Sequence, residues 1–269
     1  QQKQFDEKLQ NQIKYSKAFK ISLDDFSLIR VIGKGGFGKV RLVQCNIDGQ
    51  FYAMKTISKK ILQQTNRIQS TIQERDILIK LRHPYLVSAY YSFQTPDKLF
   101  LVLDYINGGD MFTRLMEENT FCEDRVRLYA AQIGLALSYL HSHGFIYRDL
   151  KPENILFDSE GHTRLTDFGL TKGNMVNSDD TTETFCGSRD YFAPEIILKK
   201  PYTKSVDWWS YGIVIYEMLT GYPPFYNLDH SNIKNTIKNN GRPELPDGIS
   251  NDLKELIKCC WDQKSEKRP

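Results

Sequence analysis

Tyr147-Arg148-Asp149-Leu150-Lys151-Pro152-Glu153-Asn154 is the stretch on which the reading of this chain turns, with Asp167-Phe168-Gly169 a short way beyond it. Asp149 is an acid able to receive a proton from a hydroxyl nucleophile. Lys151 is a cation that can reach a phosphate, and Asn154 carries an oxygen suited to Mg²⁺. Asp167 adds a carboxylate for metal ions that bridge the phosphates of a nucleotide. The six residues Asp149 to Asn154 would arise in a random chain of this length on the order of once in 100,000 trials. Acids that merely cap turns are therefore the weaker reading of Asp149 and Asp167. The residue types converge on phosphoryl transfer.

Upstream, Gly33-Lys34-Gly35-Gly36-Phe37-Gly38-Lys39-Val40 has the spacing G-x-G-x-x-G-x-V. Glycines there let backbone N–H groups approach phosphate oxygens with no Cβ in the way. Alone the signal is weak, since three glycines so spaced occur by chance in roughly one chain of this size in ten. It lies between two strand-like runs, Val31-Ile32 and Val40-Arg41-Leu42-Val43, which argues against a dinucleotide-binding strand-to-helix turn. Lys55, in Ala53-Met54-Lys55, ends the next strand-like run. Glu74, on a helix predicted from Ile68 to Leu81, supplies a carboxylate to hold Lys55 toward the α- and β-phosphates.

With 269 residues, 40% hydrophobic and 26% charged, the chain has room for two modest lobes and an ordinary globular composition. A net charge of +3 is too small to argue for a nucleic-acid partner or a membrane surface. The five cysteines, Cys45, Cys122, Cys186, Cys259 and Cys260, contain no C-x-x-C pair. They read as reduced thiols of a cytoplasmic or nuclear protein, not as disulfides or a zinc site. No apolar run approaches the ~18 residues that span a bilayer, and Gln1-Gln2-Lys3-Gln4 is no signal peptide.

The expected organisation is a leader or linker over 1–25, a strand-rich N-lobe over 26–103, a hinge over 104–109 and a helical C-lobe over 110–269. This is an α+β bilobal fold. Phe5, Leu9 and Ile13 recur every four residues in the leader, but a solvated segment is the expected state there. Strands are expected from Phe26 to Thr56, with a hairpin at Ile47-Asp48-Gly49-Gln50, and again from Leu86 to Tyr105. The helix from Ile68 closes at His83-Pro84, because the residue before proline resists helical geometry. Helical spacing continues over 110–119, 123–143, 204–220, 230–239 and 250–261.

Taken together, these motifs resemble the eukaryotic protein kinases from about Phe26 to Pro269. Tyr147 ahead of Arg148-Asp149, Leu165-Thr166-Asp167-Phe168-Gly169, Thr184-Phe185-Cys186-Gly187 and Val206-Asp207-Trp208-Trp209-Ser210 resemble the AGC group, most closely its Akt-like and serum/glucocorticoid-regulated branch. Lys151 within D-L-K-P-E-N is similar to Ser/Thr-specific members. The resemblance implies ATP and Mg²⁺, protein substrates with Ser/Thr acceptors, an upstream activating kinase and a monomer. It implies Ile32, Gly33, Gly35, Gly38, Lys55 and Thr166 around the nucleotide, with Val40, Ala53 and Leu156 sandwiching the adenine. Leu103 would be the gatekeeper, and Asp104 to Ile106 would offer hinge backbone bonds. Asp110 matches the acid that contacts the ribose and a basic residue upstream of the acceptor, with Glu153 and Glu217 as companion acids. Three carboxylates around one groove favour a substrate carrying Arg or Lys.

Thr184 matches the activation-loop phosphosite, with Arg148 and Lys172 to clamp its phosphate and Thr181 and Thr182 as bystanders. The resemblance further pairs Glu195, of Ala193-Pro194-Glu195, with Arg268, and has Asp207 bond the catalytic-loop backbone. Cys186 is open to two readings, a redox-sensitive thiol or a half-buried packing thiol.

The chain also departs from the group's pattern. Where members read Cys-Gly-Thr-Pro-Glu-Tyr, it reads Cys186-Gly187-Ser188-Arg189-Asp190-Tyr191. Ser188 keeps the hydroxyl that would bridge Asp149 and Lys151. Arg189 replaces a proline of the pocket for the residue after the acceptor, which opens that position to a polar or acidic residue. Ala89 falls where a larger aliphatic completes the column of side chains tying the lobes together. The chain stops at Lys267-Arg268-Pro269 without the group's C-terminal tail, so a fragment with an empty N-lobe docking pocket is expected. The alternative of a catalytically weak, nucleotide-binding scaffold is opposed by the presence of Lys55, Asp149 and Asp167. A small-molecule kinase is opposed by the Ala193-Pro194-Glu195 segment and the acidic groove.

Overall fold

Alternation along three neighbouring strands sorts the side chains of the first part of the chain onto two faces. This computed structural model describes residues 21–35, 38–177, 179–226, 232–233, 235–236, 241–242 and 244–269, and the chain divides into two compact units. The first runs through Thr65 and adds Ala89–Tyr105; the second takes Asn66–Ser88 and Ile106–Pro269.

The first unit is an antiparallel sheet of β1 (Phe26–Gly35), β2 (Gly38–Cys45), β3 (Phe51–Ser58), β4 (Ala89–Gln94) and β5 (Lys98–Asp104), ordered β1-β2-β3-β5-β4. Directly paired residues share a face, and neighbours along a strand do not. Val43, Cys45, Tyr52, Met54, Phe100 and Val102 therefore gather on one side with Phe26, as a buried cluster. Phe93 stacks between Phe26 and Phe100 with ring centroids at 5.9 and 4.9 Å, interactions each worth about 0.5–1.5 kcal/mol beyond area burial. The Asp48-Gly49 turn closes β2 onto β3, with Gly49 at φ 71° as such turns require. A short helix α1 (Lys59–Gln64) follows β3, capped where the Ser58 hydroxyl accepts from the Ile61 amide. Ile21 and Leu23 pack against the cluster, and Ser22 and Asp25 form a capping box. These residues fall inside the span read as a leader; Phe5, Leu9 and Ile13 lie outside the described residues.

The second unit opens with α2 (Ile68–Lys80), where Leu81 turns to extended backbone ahead of His83-Pro84. The segment after it is held within this unit: His83 stacks on Tyr139 at 4.9 Å, and Val87 N–H donates to the Leu165 carbonyl. Residues 66–88 thereby group with the second unit, although their sequence position falls inside the expected N-lobe. Then come α3 (Met111–Glu118), α4 (Glu123–Ser142), the hairpin of β6 (Ile155–Phe157) and β7 (Thr163–Leu165), α5 (Pro194–Ile197), α6 (Ser205–Thr220) and α7 (Asn251–Cys260).

Helix α6 is buried nearly all round, with Trp209, Ile213, Val214, Ile215 and Met218 fully inaccessible. Burial of each such side chain contributes about 1.5–3 kcal/mol, which makes α6 the spine on which α4 and α7 pack. The expected helix over 230–239 falls largely outside the described residues. Helix α1 and the β6–β7 hairpin were not read from sequence, because neither is long enough to show a period. Among the described residues no helix is long and apolar enough to cross a membrane.

Candidate active site

In the first unit the alternation that buries Met54 turns its neighbours to the opposite face. Val40 pairs with Lys55 and Lys55 with Leu101, while Leu42 pairs with Ala53 and Ala53 with Leu103. Val40, Ala53, Lys55 and Leu103 accordingly share one face, the face away from the aromatic cluster. Asp104 falls on the other face, where the Tyr90 hydroxyl donates to its Oδ1 at 2.9 Å. Gly33 and Gly35 close β1 against β2, opposite Val40 and Gly38. Gly38 has its own local reason: a Cβ there would stand 1.7 Å from the Thr56 carbonyl oxygen. Ile32 is exposed, and fully buried Ala89 sits opposite Leu103. Gly36 and Phe37 lie outside the described residues.

In the second unit the decisive feature is the company of Asp149, a side chain only 7% exposed. Its Oδ1 accepts from the Ser188 hydroxyl at 3.0 Å, and its Oδ2 accepts from Asn154 Nδ2 at 2.9 Å and pairs with Lys151 Nζ at 3.0 Å. Lys151 also donates to Ser188 Oγ at 2.9 Å, which closes a ring of three groups. Asn154 Nδ2 donates to the Asp149 carbonyl as well, at 2.8 Å, which turns the amide oxygen away from Asp149. A buried carboxylate with this many donors is held in a single orientation.

The loop carrying Asp149 is fixed from below by Asp207, 1% exposed near the start of α6. Its oxygens accept from the Tyr147 and Arg148 amides, both at 2.7 Å, and His141 Nε2 lies 2.8 Å from Oδ2. His141 is a positioning residue that the sequence reading missed; its place on the last turn of α4 offered no local signal. The Tyr147 hydroxyl donates to the Thr166 carbonyl, and Thr166 N–H donates to the Asn154 carbonyl. Burial raises the Tyr147 hydroxyl well above its usual range, so it stays a donor. These bonds tie the loop of Asp149 directly to the residue before Asp167. Both Arg148 and Asp167 hold left-handed backbone, at φ 69° and 56°, a strain of order 1–3 kcal/mol each that clusters at functional sites.

Asp167 is exposed and accepts from the Gly169 amide at 3.3 Å, while Glu74 is buried in α2. The stretch after Tyr105 runs beside β6: Asp110 bridges Leu156, and Gly108 N–H donates to the Phe157 carbonyl. Ile106 and Leu156 are half-buried. Asp110 also caps α3, accepting from the Thr113 amide and hydroxyl at 2.8 and 2.9 Å, a role its position before the helix could have announced. Among the described residues no three His, Cys, Asp or Glu side chains form a metal-binding group.

The three companion acids differ sharply in exposure. Glu153 is exposed and Asp110 half-buried, whereas Glu217 is 4% exposed in α6 and accepts from the Tyr191 hydroxyl at 2.7 Å. Burial pushes the Glu217 carboxyl up to about 7; Glu153 and Asp190 add to the rise, and the Tyr191 bond opposes it. A carboxyl whose pKa is higher in the folded state stabilises the fold while protonated, and loses that contribution as pH rises from 4.5 to about 7. Glu217→Gln removes this titration. It is expected to melt higher than the parent chain at pH 8, by the equivalent of roughly 1–3 kcal/mol, and by a smaller margin at pH 6. Equal margins at both pH values would show that another group titrates.

Along the following segment Thr184 and Thr181 are exposed and Thr182 is buried, its amide and carbonyl bridging Tyr202. Arg148 Nε donates to the Leu170 carbonyl at 2.6 Å and Nη1 to the Tyr202 hydroxyl at 3.2 Å. That hydroxyl donates to the Thr184 carbonyl at 2.6 Å, so Tyr202 links Arg148 to Thr184. Lys172 bridges Ile146 through its backbone and is exposed. Burial pushes the Cys186 thiol up, which favours the packing reading over a reactive thiolate. Arg189 is exposed, and Glu195 is paired with Arg268 at 2.6 Å.

Comparison with known proteins adds a separate line of support. The protein kinase domain family matches the chain over residues 26–269. A RAC family serine/threonine-protein kinase homolog of Dictyostelium discoideum is 48% identical over 252 residues, which are 94% of this chain and 56% of that protein. Serine/threonine-protein kinase Sgk1 of Danio rerio is 49% identical over 246 residues, 91% of this chain and 56% of that protein. Serine/threonine-protein kinase Sgk2 of Homo sapiens is 52% identical over 214 residues, 79% of this chain and 58% of that protein. The chain therefore spans little more than half the length of these relatives.

Proposed function

The chain belongs to the protein kinase domain family, and from that premise we propose that it transfers the terminal phosphoryl group of ATP to Ser and Thr hydroxyls of proteins. The observation that carries the reading is the Asp149 carboxylate held between Lys151, Ser188 and Asn154. In this reading Asp149 accepts the proton of the attacking hydroxyl while Lys151 neutralises charge growing on the transferred group. Lys55 steadies the α- and β-phosphates, and Val40, Ala53 and Leu103 offer the face that meets the base. Asp110 and Glu153, with buried Glu217 to the extent that it is ionised, attract a basic residue upstream of the acceptor.

The donor set also fits Mg²⁺, since the amide oxygen of Asn154 and the carboxylate of Asp167 are the hard oxygen ligands that this ion accepts. When held there by Asn154 and Asp167, Mg²⁺ would supply positive charge to offset the charge of the phosphates. The protein's own part is to fix those two oxygens, through Asp149 for Asn154 and through the Thr166 backbone for Asp167.

A phosphate added by an upstream kinase at exposed Thr184 would meet Arg148, already tied to that stretch through Tyr202, and Lys172. Thr184→Ala is expected to lower turnover of the upstream-activated chain about tenfold to a hundredfold while leaving nucleotide affinity nearly unchanged. Undiminished activity would mean that the segment is ordered without a phosphate. We further propose a cytoplasmic or nuclear protein, in keeping with five free cysteines, that acts as a monomer. Radiolabel transfer from ATP-Mg²⁺ to Ser/Thr peptide libraries tests the whole reading; label confined to peptides with upstream arginine supports it, and none on any peptide overturns it.

A further inference from the structure

We infer that Arg189 reads an acidic side chain flanking the acceptor, which makes substrates with Asp or Glu beside the Ser or Thr a preferred class for this chain. The inference rests on the transferase reading above and deepens it.

Ser188 is pinned to the catalytic carboxylate, donating to Asp149 Oδ1 at 3.0 Å and accepting from Lys151 at 2.9 Å. Arg189 is the next residue and opens the short 3₁₀ turn Arg189–Tyr191. The backbone is anchored on both sides of it. Gly187, at φ 112°, presses on the catalytic loop so closely that a Cβ would stand 2.6 Å from the Arg148 carbonyl oxygen. Tyr191 is held by its hydroxyl on Glu217 at 2.7 Å and by the Ser210 hydroxyl on its carbonyl at 2.8 Å. Arg189 itself is exposed, and among the described residues its guanidinium has no hydrogen bond or ion pair.

The step from Ser188 to Arg189 is about 3.8 Å, the same as the step from an acceptor residue to its neighbour. Arg189 thus stands one residue from the hydroxyl bound to Asp149, within a long side chain's reach of the residues that flank an acceptor placed there. A planar, permanently charged fork on a fixed backbone suits a carboxylate, which it can bind through two parallel N–H···O bonds. It repels a second arginine at that position. The acids Glu153, Asp190 and Glu217 all act on Tyr191, two residues further along.

The test is a peptide series with a constant upstream arginine, varied to Asp, Ala or Arg at each position flanking the acceptor. Phosphorylation by the parent chain is compared with that by Arg189→Ala and Arg189→Glu. The parent is expected to favour Asp over Arg about fivefold at one flanking position, with the preference carried by KM and fading at high salt. Arg189→Ala should level that ratio and Arg189→Glu should reverse it. Transfer by the parent with no flanking preference, or a preference untouched in Arg189→Ala, overturns the inference alone. No transfer to any peptide overturns the transferase reading and this inference with it.

Discussion

Asp149→Asn is expected to lower the rate of phosphate transfer about a thousandfold while the chain stays folded and still binds nucleotide. The carboxylate is enclosed by donors, Ser188 on one oxygen and Asn154 and Lys151 on the other. An amide keeps one accepting oxygen, but its N–H₂ group faces the lysine in either orientation, beside Ser188 in one and beside the Asn154 amide in the other. Donor then meets donor, which costs about 1–3 kcal/mol for the group left unsatisfied. That loss is tolerable for a domain of ordinary stability, whereas an amide cannot accept the proton of the attacking hydroxyl. Single-turnover transfer separates the two effects: retained nucleotide affinity with lost transfer locates the defect in chemistry. Near-normal transfer would remove Asp149 from the proposed mechanism.

Arg268→Ala should have the largest effect on stability. The Arg268 side chain is wholly inaccessible, and it holds Glu195 through two bonds, Nη1 at 2.6 Å and Nη2 at 3.1 Å. The remaining donors reach the carbonyls of Asp262 and Ser205, and the guanidinium lies 5.2 Å from the centre of the Trp209 ring. One residue thereby joins α5, the start of α6 and the turn after α7. Truncating it leaves a mostly buried carboxylate without its partner, and loss of one partner of a buried pair costs about 3–5 kcal/mol. For a unit of this size the expected fall in Tm is about 10 °C, read by thermal melts at neutral pH. A fall of less than about 2–3 °C would mean that water replaces the guanidinium at little cost.

The two expected results come from residues of different standing in the sequence. Asp149 announces itself, because it stands in a run of residue types suited to the proposed phosphoryl transfer. Arg268 carries no local mark and was paired with Glu195 only through the family resemblance. The long helices were readable for a similar reason, since α4 and α6 keep a helical spacing over many turns. Short α1 and the three-residue strands β6 and β7 fall below the length at which a period can be seen. Residues 66–88 show another limit, because helical spacing names the element and not the body it packs on.

By itself, the sequence determined the residue types on which the proposed chemistry rests, the order of the longer strands and helices, and the oxygen donors available to a metal ion. These depend on residue type and on spacing between near neighbours, which the chain states directly. Tertiary structure alone decided that Glu217 is buried against Tyr191 with its carboxyl pushed up to about 7. It also decided that His141 backs Asp207, and that Arg189 stands exposed on an anchored backbone next to the residue touching Asp149. Asp207 meets Tyr147 across 60 residues of chain. Meetings of that kind, and the burial that shifts a carboxyl, arise from packing between elements, and no local pattern encodes them.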